Sequence, residues 1–138
     1  MVRRFAEGTS VPVDRSQAEV KKLLKAHGAG GILVAEQGEH TVLMFELEGR
    51  RVRFDVAPPG KEFDSVRKRA AEERRRWRAL ILLLKAKFES IASGDAGYEA
   101  EFLAYFTLPD GRTPLIARVL PELDKALTAG KVPPLLPP

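Results

Sequence analysis

A chain of 138 residues, 44% hydrophobic and 30% charged with both signs mixed, can bury one real core and is not a disordered polyelectrolyte. Cysteine is absent, which excludes disulfides and thiolate metal sites, and two histidines, His27 and His40, are too few for a typical zinc site. The net charge of +4 is concentrated: residues 64–87 carry nine Lys/Arg against three Asp/Glu, a balance of +6, which leaves −2 for the remainder.

No apolar run approaches the 18 or so residues of a membrane span, and no signal peptide opens the chain, so a cytoplasmic protein with no membrane partner is expected. Asn is absent and Gln occurs only at 17 and 37, while Arg, Glu and Pro are common; this avoidance of labile residues points to a thermophilic source.

Met1 to Ser10 has little pattern and reads as an irregular arm. A first helix is predicted over Arg15–Ala26. Ser16 and Glu19 have capping-box spacing, as do Asp14 and Gln17, and Val20, Leu23, Leu24 and His27 recur at helical spacing to give a core face. His27 reads as a helix-end residue rather than a ligand. The glycine cluster 28–31 leaves a helix and enters a strand, the reverse of a phosphate-cradling loop, so it reads as a helix C-cap.

Three strands follow, Gly31–Gln37, Thr41–Leu47 and Arg50–Val56, joined by the short turns at 38–40 and 48–49 as an antiparallel meander. Leu43, Phe45 and Leu47 share one face, as do Val52, Phe54 and Val56; Arg51, Arg53 and Asp55 point the other way. Arg51 and Arg53 belong either to a solvated sheet face or to an extended basic surface.

Residues 57–60, Ala-Pro-Pro-Gly, end the sheet. A long helix is predicted from Ser65 to about Ala92, with Ser65 or Asp64 capping its start and Gly94 its end. On a wheel of about 100° per residue, Val66, Ala70, Trp77, Leu84, Phe88 and Ile91 form an apolar stripe, flanked by Leu80 and Ile81 and interrupted by Glu73. Arg67, Arg74, Arg78 and Lys85 line one shoulder of it; Arg69, Arg76 and Lys87 line the other. Leu82 and Leu83 spread the apolar surface, which predicts a second half buried on several sides. At 1.5 Å per residue the helix is roughly 40 Å long, so its Arg-rich half is expected to project or to meet a partner.

Beyond it, a short helix is predicted over about Gly97–Tyr105, with Tyr98, Phe102, Tyr105 and Phe106 as core aromatics. A tight turn follows at 108–112. Thr113 is expected to cap a further helix, which Pro121 breaks or kinks, the second piece ending at Gly130. Residues 133–138 read as a Pro-rich tail on a single domain of residues 1–132.

The expected fold is α+β: a three-stranded antiparallel meander with one long helix and several shorter helices packed on one face. Helix, three strands and helix is also the order of double-stranded-RNA-binding domains, and Arg67-Lys68-Arg69 occupies a place similar to their Lys-rich cluster. Their Gly/Ser-Lys-Lys signature is absent, however, and the last 40-odd residues have no counterpart there. The segments Phe5–Asp14, Gly49–Phe54, Arg76–Leu80 with Lys85–Lys87, Glu101–Tyr105 with Leu108–Thr113, and Pro133–Pro137 resemble, in order, a family of small uncharacterised bacteriophage and prophage proteins. The resemblance implies a phage or prophage origin, and with it DNA metabolism or control of host machinery in the host cytoplasm.

Catalysis is the least supported class. No Ser or Thr has an evident base, and the Glu72-Glu73 pair sits among arginines as a helix ion-pair partner, Glu72 to Arg76. No cofactor is expected. The leading expectation is binding to the phosphate backbone of DNA or RNA, without base readout, through Arg67, Lys68, Arg69, Arg74, Arg75, Arg76, Arg78 and Lys85, with Arg51 and Arg53 as an extension. The alternative is a small phage regulator that docks on a host protein such as RNA polymerase or a replication factor. A homodimer burying the stripe around Glu73 is a further option.

Overall fold

The computed structural model describes residues 4–131, and the 133–138 tail therefore lies outside the described residues. The first helix, α1 (Val13–Ala26), starts two residues earlier than predicted. Pro12 stands at its N-cap with no side-chain cap, so neither predicted capping box forms. Ser16 is drawn into the core instead, fully buried, and its Oγ has no hydrogen-bond partner. The helix ends as the glycines require. Gly28 takes φ +83°, its N–H donates to the Lys25 carbonyl, and the Ala29 N–H donates to that of Leu24, a Schellman pairing that seats Ala29 beside Leu24 in the core.

The meander is β1 (Gly30–Gln37), β2 (His40–Leu47) and β3 (Arg50–Val56), antiparallel throughout in the order β1-β2-β3. Glu48 and Gly49 both take positive φ, the geometry whose twist matches a two-residue hairpin. The register stacks Leu43 beside Phe54 and Phe45 beside Val52 on the core face. The outer face carries Leu33, Met44 and Arg53 in one row and Ala35, Val42 and Asp55 in the next.

The long helix α2 (Val66–Ala92) begins as predicted: the Ser65 Oγ accepts from the Lys68 N–H at 3.1 Å. Trp77, Leu80, Ile81, Leu84 and Phe88 are buried in one cluster with Val20, Leu24, Phe45, Phe54 and Phe102. Two parts of the wheel reading are corrected. Val66 is 87% exposed, because it lies in the first turn, beyond the reach of α1 and the sheet. Leu82 and Leu83 are exposed, so the second half of α2 is buried on one side and not on several.

The Arg-rich half of α2 does not project bare. The arm before α1 and the 57–63 connection lie along it through hydrogen bonds from Arg74, Arg69 and Arg76. Helix α3 (Tyr98–Phe102) runs into a 3-10 turn at Leu103–Tyr105. After it, the Thr107 N–H donates to the Arg51 carbonyl at 2.9 Å and Val52 bridges Phe106, so a stub of backbone covers the free edge of β3. The last helix, α4 (Leu115–Ala129), is one piece. Pro114, not Thr113, is its N-cap, because the Thr113 hydroxyl donates to the Asp110 carboxylate instead. Pro121 sits inside α4 on an exposed side, where its missing N–H leaves only solvent-facing backbone to satisfy.

Candidate nucleic-acid interface

Glu19 meets Arg78 at 2.6 Å and Lys85 at 3.8 Å, while His27, just over two turns later at the end of α1, stacks on Phe88 with ring centroids 4.2 Å apart. Both helices therefore advance in the same direction, side by side. This pairing decides the fate of the two basic rows.

The row Arg69, Arg76 and Lys87 faces the rest of the chain and is occupied by it. Arg69 reaches the carbonyls of Gly60 and Phe63, Arg76 those of Ala57 and Pro58, and Lys87 that of Glu101 at 2.6 Å. These cations serve carbonyls of the irregular 57–63 connection and of the last turn of the following short helix. Lys87 also lies over the rings of Phe102 and Tyr105.

The row Arg67, Arg74, Arg78 and Lys85 faces α1 and solvent. Arg74 gives Nε to the Thr9 carbonyl at 3.4 Å, leaving its terminal nitrogens, and Lys85 is half exposed. Arg15, a turn before Glu19, and Lys22, a turn after it, extend the row onto α1, and both are exposed. Glu19 is the carboxylate at the centre of this ridge. The hydrogen bond from Arg78 lowers its pKa most; burial opposes it as the next largest effect, and the charges of Arg78, Lys85 and Arg15 complete the lowering. From Arg67 to Lys85 the ridge runs about 27 Å, some eight base-pair steps of a duplex strand.

The remaining predicted contacts are placed elsewhere. Lys68 pairs with Asp64 at 3.0 Å, both exposed. Arg75 turns inward to Glu72. Arg51 pairs with Glu46 at 3.4 Å. Arg53 lies flat over the outer sheet face, donating to Asp55 at 3.0 Å and to Gln37 at 3.3 Å across the intervening strand. Met44, its cross-strand partner, and Val42 are buried although they alternate with the core-facing residues of β2.

Glu72 is only 3% exposed and is ringed by Arg4 at 3.2 Å, Arg75, and Arg76 at 3.9 Å. Burial alone would raise its pKa. The hydrogen bond and charge of Arg75, then those of Arg4, outweigh burial and hold the carboxylate below its ordinary value. The Arg76 contact is legible from the i,i+4 spacing; the Arg4 contact, from the far end of the chain, is not.

Among the described residues no three His, Asp or Glu side chains converge as a metal site would require, and no helix is long and apolar enough to cross a membrane. No protein-family model, curated protein or solved structure matches the chain.

Proposed function

We propose that the chain binds the phosphate backbone of DNA or RNA along the α1–α2 ridge, without reading bases, as a phage-type protein of the host cytoplasm. One observation carries the reading: Arg78 and Lys85 of α2 meet Glu19 of α1, with Arg15 close enough to act on it, along the helix shoulder that also carries Arg67 and Arg74, with Lys22 exposed one turn on along α1. Such an array attracts a polyanion through released counterions and bidentate guanidinium contacts. The opposite row takes no part, since its donors hold backbone carbonyls. The activity is binding, not catalysis.

Fluorescence anisotropy with single- and double-stranded DNA and RNA oligomers tests this. Changing Arg15, Lys22, Arg67 and Lys85 together to Gln spares the Arg78–Glu19 pair and keeps helix propensity. Affinity should fall, and the slope of log affinity against log salt should shrink by up to about one unit for each phosphate no longer neutralised, equally for all sequences. A parent that binds no oligomer at about 50 mM salt, or a quadruple variant that binds as well as the parent, overturns the reading. Capture of a host protein that survives both nuclease and high salt would instead support a regulator.

A further inference from the structure

Helix α4 is amphipathic yet contains no buried residue. Leu115, Val119, Glu122 and Ala126 form its half-buried side, which meets the 3-10 turn at Leu103–Tyr105. On the neighbouring side Ile116, Leu120, Leu123 and Leu127 are 44–73% exposed. Their spacing of four, three and four is the a/d rhythm of a helix–helix seam. Together they present on the order of 400 Å² of apolar surface, the size that marks an interaction site on a monomer. Nothing among the described residues covers it.

We propose that this seam is covered by α4 of a second copy, packed antiparallel about a two-fold axis midway between Leu120 and Leu123. The chemistry of the helix selects this occupant. The complement of a 4-3-4 leucine seam is a helix with the same rhythm, and α4 is one. The two-fold sets Leu120 against the partner's Leu123 and Ile116 against the partner's Leu127, so the two ends of the seam fill each other.

The flanking positions are Ala117, Val119 and Ala126, small enough for close approach, and one carboxylate, Asp124. The antiparallel pairing sets Asp124 level with the partner's Val119, whereas a parallel pairing sets two Asp124 carboxylates level. Arg118 and Lys125 lie on the far side of the helix, and Pro121 lies outside the seam, so no charge is buried and no ring obstructs the approach. Two such patches, with exposed Leu103 nearby, amount to roughly 1,000 Å² in total, the lower end for a specific interface, so dissociation in the micromolar range is expected. Because α4 joins the domain beyond the 3-10 turn, on the side of the occupied basic row, the dimer leaves the α1–α2 ridge open and does not depend on nucleic-acid binding.

Sedimentation equilibrium of the full chain between about 1 and 200 µM tests the proposal. The parent should pass from monomer to dimer over that range. Leu120→Glu and Leu123→Glu should each stay monomeric with unchanged far-UV circular dichroism, since both positions are exposed. The chain has no cysteine, so Leu120→Cys and Leu123→Cys report orientation: mixed under mild oxidation they should cross-link to one another faster than either does to itself. A parent that is monomeric throughout, a dimer that persists in either Glu variant, or faster cross-linking of a single cysteine variant to itself would overturn it. So would a monomeric parent whose seam is taken up by a foreign helix.

Discussion

Replacing Glu72 by Gln tests the buried carboxylate most directly. The side chain keeps its volume and one acceptor oxygen, but it loses its charge and turns an amide N–H₂ toward guanidinium donors. In the parent, Glu72 accepts charge-assisted bonds from Arg4 and Arg75 and lies 3.9 Å from Arg76. Removing one partner of a fully buried ion pair costs about 3–5 kcal/mol. Here Arg4 is half exposed, and Arg75 and Arg76 retain some access to water, so the loss is closer to one charged hydrogen bond, about 2 kcal/mol. At roughly 3–4 °C per kcal/mol for a domain of this size, Tm should fall by about 6–8 °C near neutral pH. The pH dependence has a definite sign. Glu72's folded pKa lies below its ordinary 4.5, so its contribution is fully present above that value and is lost as pH falls through the folded pKa. The gap between parent and variant should therefore be constant above about pH 5 and close in acid. Thermal melts monitored by circular dichroism from about pH 3 to 7 measure both quantities. A variant that melts within about 1 °C of the parent at neutral pH, or a gap that is unchanged at about pH 3, would refute the argument.

Ser16→Ala should raise stability by about 0.5–1.5 kcal/mol in urea titrations, because it removes a buried hydroxyl with no partner and installs the best helix former. Glu48→Asn should gain up to about 1 kcal/mol, since Glu48 holds φ +51° in the hairpin, a conformation Asn tolerates; a loss would mean that the Glu48 side chain makes an interaction that outweighs the strain. Glu19→Gln should tighten oligonucleotide binding by removing the carboxylate that occupies Arg78 and Lys85, and weaker binding in that variant would show that Glu19 organises the ridge instead of neutralising it.

Local rules carried most of the fold. Gly28, Gly49 and Ser65 each occupy the backbone geometry that their chemistry predicts, and the alternation in β2 and β3 determined which faces meet the helices. The failures share a cause: they depend on what the chain brings back from a distance. Val66 and Trp77 have nearly the same wheel angle, yet one is solvated and the other buried, because α1 and the sheet cover only part of α2. Of Glu72 and Glu73, the wheel picks Glu73 as the intruder in the stripe, but the arm brings Arg4 to Glu72, and Glu72 is the buried one. The two basic rows are equivalent in sequence. They separate only once the irregular 57–63 connection and the end of α3 have placed bare carbonyls beside one of them. The exposed seam of α4 is hidden when Pro121 is read as a helix end.

The backbone stub that stitches Thr107 to Arg51 also orders events in time. The meander closes through two tight turns, and pairings within it span few residues, so its hairpins form on the microsecond scale typical of local pairing. The stitch joins residues more than fifty positions apart and brings the Tyr105 ring onto Phe54 at 4.1 Å, which can happen only after α2 has run its length. Residues 98–114 should therefore dock late, downstream of the rate-limiting barrier. Truncating Tyr105 to Ala would then leave the refolding arm of a chevron plot nearly unmoved and shift the unfolding arm upward, whereas Phe45→Ala would depress the refolding arm. If Tyr105→Ala slowed refolding by as much as it destabilised the protein, the stitch would belong to the nucleus, and the C-terminal half would guide the sheet instead of following it.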